Sequence, residues 1–382
     1  MIYIHIPFCR SFCTYCDFYS EVASKCRGAE EVRKQEVMFG EFADAMVREI
    51  RHRADEISDN TNTLYIGGGT PSVLPLCVLE RMLQTLQEVG HGGPYDEFTV
   101  EVNPEDIVEK GEEYVAGLLR LGVNRISMGV QSFDDGILRF MNRRHSAETA
   151  RKAYAILENA GVENISIDLI FGLPQLSDEQ WLETLDKALT ISPSGRLPQH
   201  ISSYQLSVEP GSALAKLVER GQWQEAADEL CEHQYEMLCQ ALQKAGYSHY
   251  EISNFALPGF EARHNSAYWR HVPYVGLGPG AHSFIEPDRR CWNEPDLNGY
   301  IEDPLAVQDG EILTPEQMSL ERIMLALRTA DGIDEAYLHE HCDPSALSRA
   351  LSCGNLVSIS DGRVRIPENR FFISDNIISD II

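Results

Sequence analysis

The strongest constraint in this sequence is a repeated alternation between short apolar segments and longer amphipathic ones. Six runs rich in β-branched residues lie at residues 2–6, 63–66, 97–102, 125–130, 164–170 and 200–206. A helical pattern follows each run, at residues 31–55, 73–89, 106–121, 147–160, 178–191 and 225–245. Because strands that alternate with helices form parallel sheets, the six units predict an α/β fold, a partial (β/α)6 barrel.

Polar or unusual residues recur where the predicted strands end. In chain order these ends carry Cys9 with Cys13 and Cys16, then the glycine triplet 67–69 with Thr70, then Glu101, Gln131, Asp168, and Tyr204 with Gln205. Active sites of β/α barrels form at the carboxyl ends of their strands. We therefore expect these side chains to surround one site, since a barrel with a purely structural role would not need them.

The chain has 382 residues, which suits one large domain joined to a smaller one. We predict a barrel core at residues 1–245. A segment rich in histidine and aromatic residues at 246–310 is expected to close the barrel and link it to a small C-terminal domain at 311–382. Three predicted helices and a hairpin turned at Asp361-Gly362 make this last part resemble a winged-helix module.

Charge and hydropathy exclude several classes of protein. The formal net charge of −27 repels phosphate backbones, so the sequence predicts no nucleic-acid binding, whereas a basic protein partner is compatible with it. No stretch approaches the roughly 20 apolar residues of a membrane helix, which leaves only peripheral membrane contact. The N-terminus lacks the basic start and small-residue cleavage site of a signal peptide. We expect a cytoplasmic protein.

Three of the ten cysteines fall within eight residues, in the pattern Cys9-x3-Cys13-x2-Cys16. In a large acidic chain without a signal peptide, such crowding indicates a metal site and not a disulfide framework. Three thiolates can hold three irons of a [4Fe–4S] cubane and leave the fourth iron open, whereas most electron-transfer clusters use four cysteines. The alternative is a structural zinc site with His5 or Cys26 as fourth ligand, although zinc knuckles usually pair their cysteines as C-x2-C twice.

The motifs together resemble radical S-adenosylmethionine enzymes. More narrowly, they resemble the coproporphyrinogen III oxidase-like branch and, within it, the HemW-type heme chaperones. The resemblance extends through almost the whole chain and includes the C-terminal module. It rests on the sequences at residues 4–18, 67–72, 101–104, 127–133, 168–174 and 264–269.

The resemblance implies a [4Fe–4S] cluster on Cys9, Cys13 and Cys16, to which S-adenosylmethionine binds. It also implies contacts to that cofactor from Tyr3, Tyr15, Gly68, Gly69, Thr70, Glu101, Gln131, Arg143 and Asp168. Their chemistry is suitable, because carboxylates can bind ribose hydroxyls or an ammonium group and an arginine can pair with a carboxylate. Structural alternatives stay open: Tyr3 can cap a barrel strand, the glycines can form a plain turn, and Arg143 can be a solvated surface residue.

Heme is the third ligand that the resemblance implies. The motif His264-Asn265-x2-Tyr268-Trp269 resembles one associated with heme binding in HemW-type proteins. A histidine beside aromatic side chains suits axial ligation of a porphyrin iron. His282 is a second candidate, and for both histidines a purely structural role is the alternative.

Two features separate the chain from the oxidases of the same branch. Phe18 stands where oxygen-independent coproporphyrinogen III oxidases carry a fourth cysteine, and the longer segment that precedes their first strand is missing. The resemblance therefore favours a heme chaperone that delivers heme to apoproteins and receives electrons from a donor. The alternative is a coproporphyrinogen III oxidase or dehydrogenase that decarboxylates its substrate, so whether the chain is an enzyme stays open.

Overall fold

The computed structural model describes residues 1–23 and 29–382, and its largest sheet has nine strands. In chain order the strands are β1 Ile2–Ile6, β2 Phe8–Cys9, β3 Glu21–Val22, β4 Thr63–Gly68, β5 Glu97–Val102, β6 Arg125–Gln131, β7 Ile165–Phe171, β8 His200–Gln205, β9 Ser248–Glu251, β10 Asn254–Ala256, β11 Val275–Leu277, β12 His282–Ile285, β13 Arg289–Asn293, β14 Gln308–Ile312, β15 Ile333–Asp334, β16 Val357–Ser358 and β17 Arg363–Arg365.

The large sheet has the order β11-β1-β4-β5-β6-β7-β8-β10-β9. Its six middle strands, β1 and β4 to β8, are parallel neighbours in chain order, which confirms the six predicted β/α units. Strand β11 extends the β1 edge in parallel, and β10 and β9 extend the β8 edge in antiparallel fashion. Within the described residues β11 and β9 do not pair with each other, so the sheet is open, as in a partial barrel.

Helices separate the parallel strands and follow them at the predicted places. They are α1 Ala29–His52, α2 Leu76–Glu88, α3 Pro104–Arg120, α4 Asp135–Phe140, α5 Ala147–Asn159, α6 Asp178–Leu189, α7 Ala213–Glu219, α8 Asp228–Lys244, α9 Arg263–Trp269, α10 Leu297–Glu302, α11 Pro315–Ala326, α12 Glu335–His341, α13 Pro344–Ser352 and α14 Ser374–Ile381. Capping side chains fix where some helices begin. For example, Ser177 caps the N-terminus of α6 in a capping box with Gln180. Among the described residues, no helix has the length and apolar character needed to cross a membrane.

The segment after α8 extends both edges of the open sheet and then forms a small sheet of its own. Strands β12, β13 and β14 pair in antiparallel fashion through residue Ile312, two positions past the predicted boundary at 310. The C-terminal part has α11, α12 and α13, with a hairpin of β16 and β17 that β15 joins. Asp361 turns this hairpin with a φ of 62°. A last helix, α14, was not predicted.

A buried ion pair fastens the added β11 edge to the end of α1. The Arg53 guanidinium donates to Glu49 Oε1 at 3.2 Å and to the Gly276 carbonyl at 2.7 Å. Glu49 Oε2 accepts from the Gly278 N–H at 2.8 Å and from the Tyr300 hydroxyl at 2.6 Å. The side chains of Arg53 and Glu49 are 4% and 0% exposed. Because every bond stays inside the protein, the pair holds β11 in place beside β1.

This network predicts a large stability difference between two acidic residues. We expect Glu49→Ala to lower the free energy of unfolding by about 3–5 kcal/mol, because it leaves the buried Arg53 with only the partly exposed Glu56 as a counter-charge and removes the acceptor of the Tyr300 hydroxyl. The matched control is Glu88→Ala, which removes an exposed pair with Arg51 whose side chains are 57% and 58% exposed and should cost at most about 1 kcal/mol. Urea unfolding followed by circular dichroism measures both, and equal losses would contradict the prediction.

Candidate functional site

A cavity of about 840 Å³ lies at the carboxyl ends of the parallel strands. All three clustered cysteines line it, Cys9, Cys13 and Cys16. So do eight of the nine predicted cofactor contacts, namely Tyr15, Gly68, Gly69, Thr70, Glu101, Gln131, Arg143 and Asp168. The structure thus brings these residues together around one space, and their roles toward a cofactor remain predictions.

The cysteine loop is held by hydrogen bonds to segments distant in the chain. The Thr14 N–H donates to the Met141 carbonyl at 3.2 Å, and the Leu214 N–H donates to the Thr14 carbonyl at 2.8 Å. The Asn142 side-chain amide donates to the Phe12 carbonyl at 2.6 Å. The loop after α4 and the start of α7 therefore fix where the three thiols point.

The glycine loop after β4 packs directly against the exit of β1. The Gly69 N–H donates to the Ile6 carbonyl at 2.8 Å, and the Thr70 N–H donates to the Phe8 carbonyl at 2.7 Å. A Cβ atom on Gly69 would lie 2.8 Å from both carbonyl oxygens, so only glycine fits there. This approach places the Thr70 hydroxyl 3.5 Å from the Cys9 sulfur.

Arg143 brings a positive charge to the cysteines. Its guanidinium donates to the Cys13 sulfur at 3.4 Å, to Asn103 Oδ1 at 2.7 Å and to the Gly129 carbonyl at 2.8 Å. Its Nε atom is buried without a hydrogen-bond partner among the described residues. The guanidinium therefore faces the cavity, whereas the neighbouring Arg144 is exposed. The charge of Arg143 also opposes the rise that burial causes in the pKa of Cys9.

Two partly buried carboxylates, Glu101 and Asp168, form another wall of the cavity. Glu101 accepts from the Tyr65 hydroxyl at 2.6 Å and from the Gly68 N–H at 3.2 Å. Asp168 accepts from the Ser127 hydroxyl at 3.2 Å. Burial raises the pKa of Glu101 to about 7, helped by the nearby Asp168 charge, and burial raises the pKa of Asp168 to about 6. A ligand with a positive group would favour the ionised form of both.

Gln131 has a strained backbone. It ends β6 with a φ of 66°, at the point where the pairing register between β6 and β7 shifts. Non-glycine residues adopt this left-handed conformation at a cost, and such residues concentrate at functional sites. Its side chain lines the cavity, as the strand-end pattern predicts.

The donor set fits an iron–sulfur cluster better than a single zinc ion. Burial raises the pKa of Cys9 and brings that of Cys16 to about 12, so both thiols need a metal or cation to lose their protons. Among residues 1–23 and 29–382, no three Cys, His, Asp or Glu side chains converge on one metal-ion position. A cubane has a different requirement, since its cysteines ligate different irons.

Of the two residues considered as a fourth zinc ligand, His5 does not support a zinc site. His5 Nδ1 lies 3.0 Å from the Tyr3 hydroxyl, and His5 Nε2 lies 2.8 Å from the Tyr19 carbonyl oxygen. Both ring nitrogens are therefore engaged inside the protein. Cys26, the other ligand considered for zinc, lies outside the described residues.

A second cavity of about 590 Å³ adjoins the first. Asp17, Phe18 and Tyr19 line both, so the end of the cysteine loop is their common wall. Tyr3, predicted as a cofactor contact of the first cavity, lines the second one instead, and so does His282. Tyr3 and His5 alternate along β1 with the fully buried Ile2 and Ile4, and both line the second cavity, whose far side is formed by residues that follow β11.

His264 lines neither cavity, and its expected role as a heme ligand stays a prediction. The residue is 0% exposed. Its Nδ1 lies 2.9 Å from the Thr63 hydroxyl, and its Nε2 lies 3.1 Å from the Tyr268 hydroxyl. Burial lowers the pKa of His264 to about 3. With both ring nitrogens engaged, these contacts favour the structural role that was its alternative.

Some lining residues were not singled out from the sequence. Asn103 bridges the site, because its amide donates to the Thr70 hydroxyl at 3.2 Å while its oxygen accepts from Arg143. Tyr65 and Ser127 hold the two carboxylates. Asn103 follows β5 directly, so the rule that polar residues end the strands could have found it, whereas Tyr65 looks like an ordinary strand residue.

Comparisons with known proteins show which proteins this chain resembles. The family model of the radical SAM superfamily matches residues 3–188. The heme chaperone HemW of Synechocystis sp. is 35% identical over 88% of this chain and 79% of its own length. That of Lactococcus lactis is 34% identical over 87% and 82%. The structure of coproporphyrinogen III oxidase (HemN) from Escherichia coli, a radical SAM enzyme, superposes on 99% of this chain and 89% of the oxidase chain. The TM-score is 0.78 and the sequence identity is 21%, which shows that the two proteins share a fold.

The raised pKa values of the two carboxylates predict how binding of a cationic ligand depends on pH. Since Glu101 ionises near pH 7 and Asp168 near pH 6, both become anionic as the pH rises from 5.5 to 8. S-adenosylmethionine, whose sulfonium is always positive, should bind about tenfold tighter across that range, because hydrogen bonds to charged groups contribute about 1.5–3 kcal/mol. Calorimetric titration of the reconstituted chain with S-adenosylmethionine at several pH values measures the dissociation constant.

Two variants serve as controls for the pH dependence. Glu101→Gln should flatten the profile between pH 6 and 8, because it removes the group that titrates there. Glu113→Gln changes an exposed carboxylate outside the cavity and should leave the profile unchanged. A profile that is the same in Glu101→Gln as in the unaltered chain would rule out Glu101 as the source.

Proposed function

Since this chain belongs to the HemW heme chaperone family of the radical SAM superfamily, we propose that it binds heme and delivers it to apoproteins. In this proposal Cys9, Cys13 and Cys16 hold a [4Fe–4S] cluster, and S-adenosylmethionine binds beside it. One observation carries the proposal: the three cysteines and eight residues suited to that cofactor line a single cavity.

Each residue has a physical role in this proposal. When bound, the cluster supplies an open iron for the amino and carboxylate groups of S-adenosylmethionine and the electron that can cleave its sulfonium bond. Arg143 offsets the negative charge of the thiolates, since its guanidinium contacts the Cys13 sulfur. Glu101 and Asp168 accept hydrogen bonds from ammonium or ribose hydroxyl groups. The Gly68-Gly69 backbone lies against the first strand and its exit, because Cβ atoms there would meet the His5 ring and the carbonyls of Ile6 and Phe8.

Family membership favours the chaperone over a porphyrin oxidase. The likeness to the Escherichia coli oxidase, at 21% identity, concerns the fold. Phe18 occupies the position at which the resemblance places a fourth cysteine in the oxidases, and its side chain is 65% exposed on the common wall of the two cavities. Heme-accepting apoproteins and an electron donor belong to the proposal as partners.

The cluster assignment predicts the iron content of two cysteine variants. After anaerobic reconstitution the unaltered chain should hold about four irons, as the cubane formula requires. Cys13→Ser should lose the cluster absorbance and most of the iron, because a serine oxygen is a poor substitute for a thiolate. Cys77→Ser removes an exposed cysteine outside the cavity, and this variant should keep the cluster absorbance and the iron. Metal analysis that finds zinc without iron would refute the assignment.

The chaperone proposal predicts heme transfer without porphyrin turnover. The chain should bind added hemin and pass it to an apoprotein such as apomyoglobin, as followed by the shift of the Soret band. Incubation with reductant, S-adenosylmethionine and coproporphyrinogen III should leave that porphyrinogen unchanged. Protoporphyrinogen in the products would establish the oxidase alternative, and a chain that binds no heme would end the chaperone proposal.

A further inference from the structure

His282 stands at the rim of the second cavity, beside a tryptophan. It begins β12 and lies directly across from Trp292 on β13. The two rings are stacked, with centroids 5.8 Å apart and planes inclined by 27°. Because residues that face each other across two strands project to the same side of the sheet, both rings face the cavity that they line.

The imidazole of His282 differs from the other buried or cavity-lining histidines. His5 and His282 line the second cavity, and the first is lined by no histidine. Both ring nitrogens of His5 are engaged, as are those of the buried His200 and His264. Among the described residues, no hydrogen bond involves the ring of His282. Partial burial and then the Arg290 charge lower its pKa, so the ring is neutral at pH 7, the form that ligates metals.

The rest of the lining suits a flat, apolar ligand. Aromatic side chains dominate it, namely Tyr3, Phe18, Tyr19, Tyr268, Tyr274 and Trp292. The cavity volume of about 590 Å³ falls within the range of about 300–1,000 Å³ that is usual for sites of small molecules and cofactors. Its charged lining residues are Asp17 and Glu294, so anionic groups of a ligand would have to face the open mouth.

We infer that the second cavity is the heme site, with His282 Nε2 or Nδ1 as an axial ligand of the iron and the porphyrin plane against the aromatic wall. The inference rests on the proposed function, because heme as ligand comes from there. The propionates of a bound heme would face solvent, away from Asp17 and Glu294. Heme bound here would be separated from the cysteine cavity by Phe18 and its two neighbours in the common wall.

The same geometry gives the 264–269 motif a role that does not require His264 as ligand. Tyr268 lines the cavity, and its hydroxyl lies 3.1 Å from His264 Nε2. The two rings meet edge to face with centroids 5.0 Å apart. Since His264 Nδ1 is in turn held by Thr63, the histidine is a positioning residue that fixes Tyr268 in the wall.

Hemin titration of the full-length chain, followed by Soret absorbance and electron paramagnetic resonance, tests the inference. His282→Ala should lose the spectral signature of histidine ligation and bind hemin at least ~10-fold more weakly. Adding free imidazole to His282→Gly should restore the signature, because imidazole fills the space that the side chain leaves. His339→Ala is the matched control, since that histidine is 56% exposed and lines neither cavity.

The outcomes separate this inference from the proposed function. If the unaltered chain binds no hemin, both fail. If it binds hemin and His282→Ala binds with the same affinity and spectrum, the second cavity is not the heme site, while the chaperone proposal stands. Loss of histidine ligation in His264→Gln with a normal spectrum in His282→Ala would likewise overturn the inference and return the ligand role to His264.

Discussion

Two backbone hydrogen bonds determine the geometry of the whole site, those from Gly69 and Thr70 to the carbonyls of Ile6 and Phe8. They require the glycine loop to lie against the exit of the first strand, at a distance that excludes any Cβ atom. The contact continues the pairing of β1 with β4 beyond the last residues of both strands. It brings the beginning of the cysteine loop and the Thr70 hydroxyl together before any ligand is present.

Positive and negative side chains lie close to one another around the first cavity. Arg143 lies at the thiol side, and Glu101 and Asp168 lie at the other, in surroundings that raise their pKa values to about 7 and 6. Two carboxylates this strongly desolvated are costly to ionise without a counter-charge. A ligand that carries a carboxylate and positive groups on one small frame matches this distribution, and S-adenosylmethionine is such a ligand.

The six parallel units could be predicted from the sequence because their cause is local. Each strand is a short β-branched run and each long helix has one apolar face, so periodicity within a window of residues is sufficient. The strand-end rule then placed Cys9, Glu101, Gln131 and Asp168 near one another without further information. By contrast, all five residues of β14 are exposed and carry no apolar pattern, which is why that strand escaped prediction.

Long-range partners set the surroundings of the residues that the sequence could not place. His264 resembles a ligand in a local motif, but its ring is held by Thr63, 201 positions earlier in the chain. Tyr3 was correctly located on the first strand, yet which cavity it faces depends on β11, β12 and β13, whose residues come after position 274. Contacts of this kind follow from the assembled sheet and are not visible in a sequence window.

The ion pair between Glu49 and Arg53 has a consequence for synthesis of the chain. Tyr300, which donates to Glu49, lies 251 positions further along. At about 5–20 residues per second, translation reaches it roughly 13–50 s after Glu49 has been added. During that interval the Glu49 carboxylate has Arg53 as a donor but lacks the Gly278 N–H and the Tyr300 hydroxyl. The edge of the first strand that β11 later covers therefore stays hydrated until a segment near the other end of the sequence has been made.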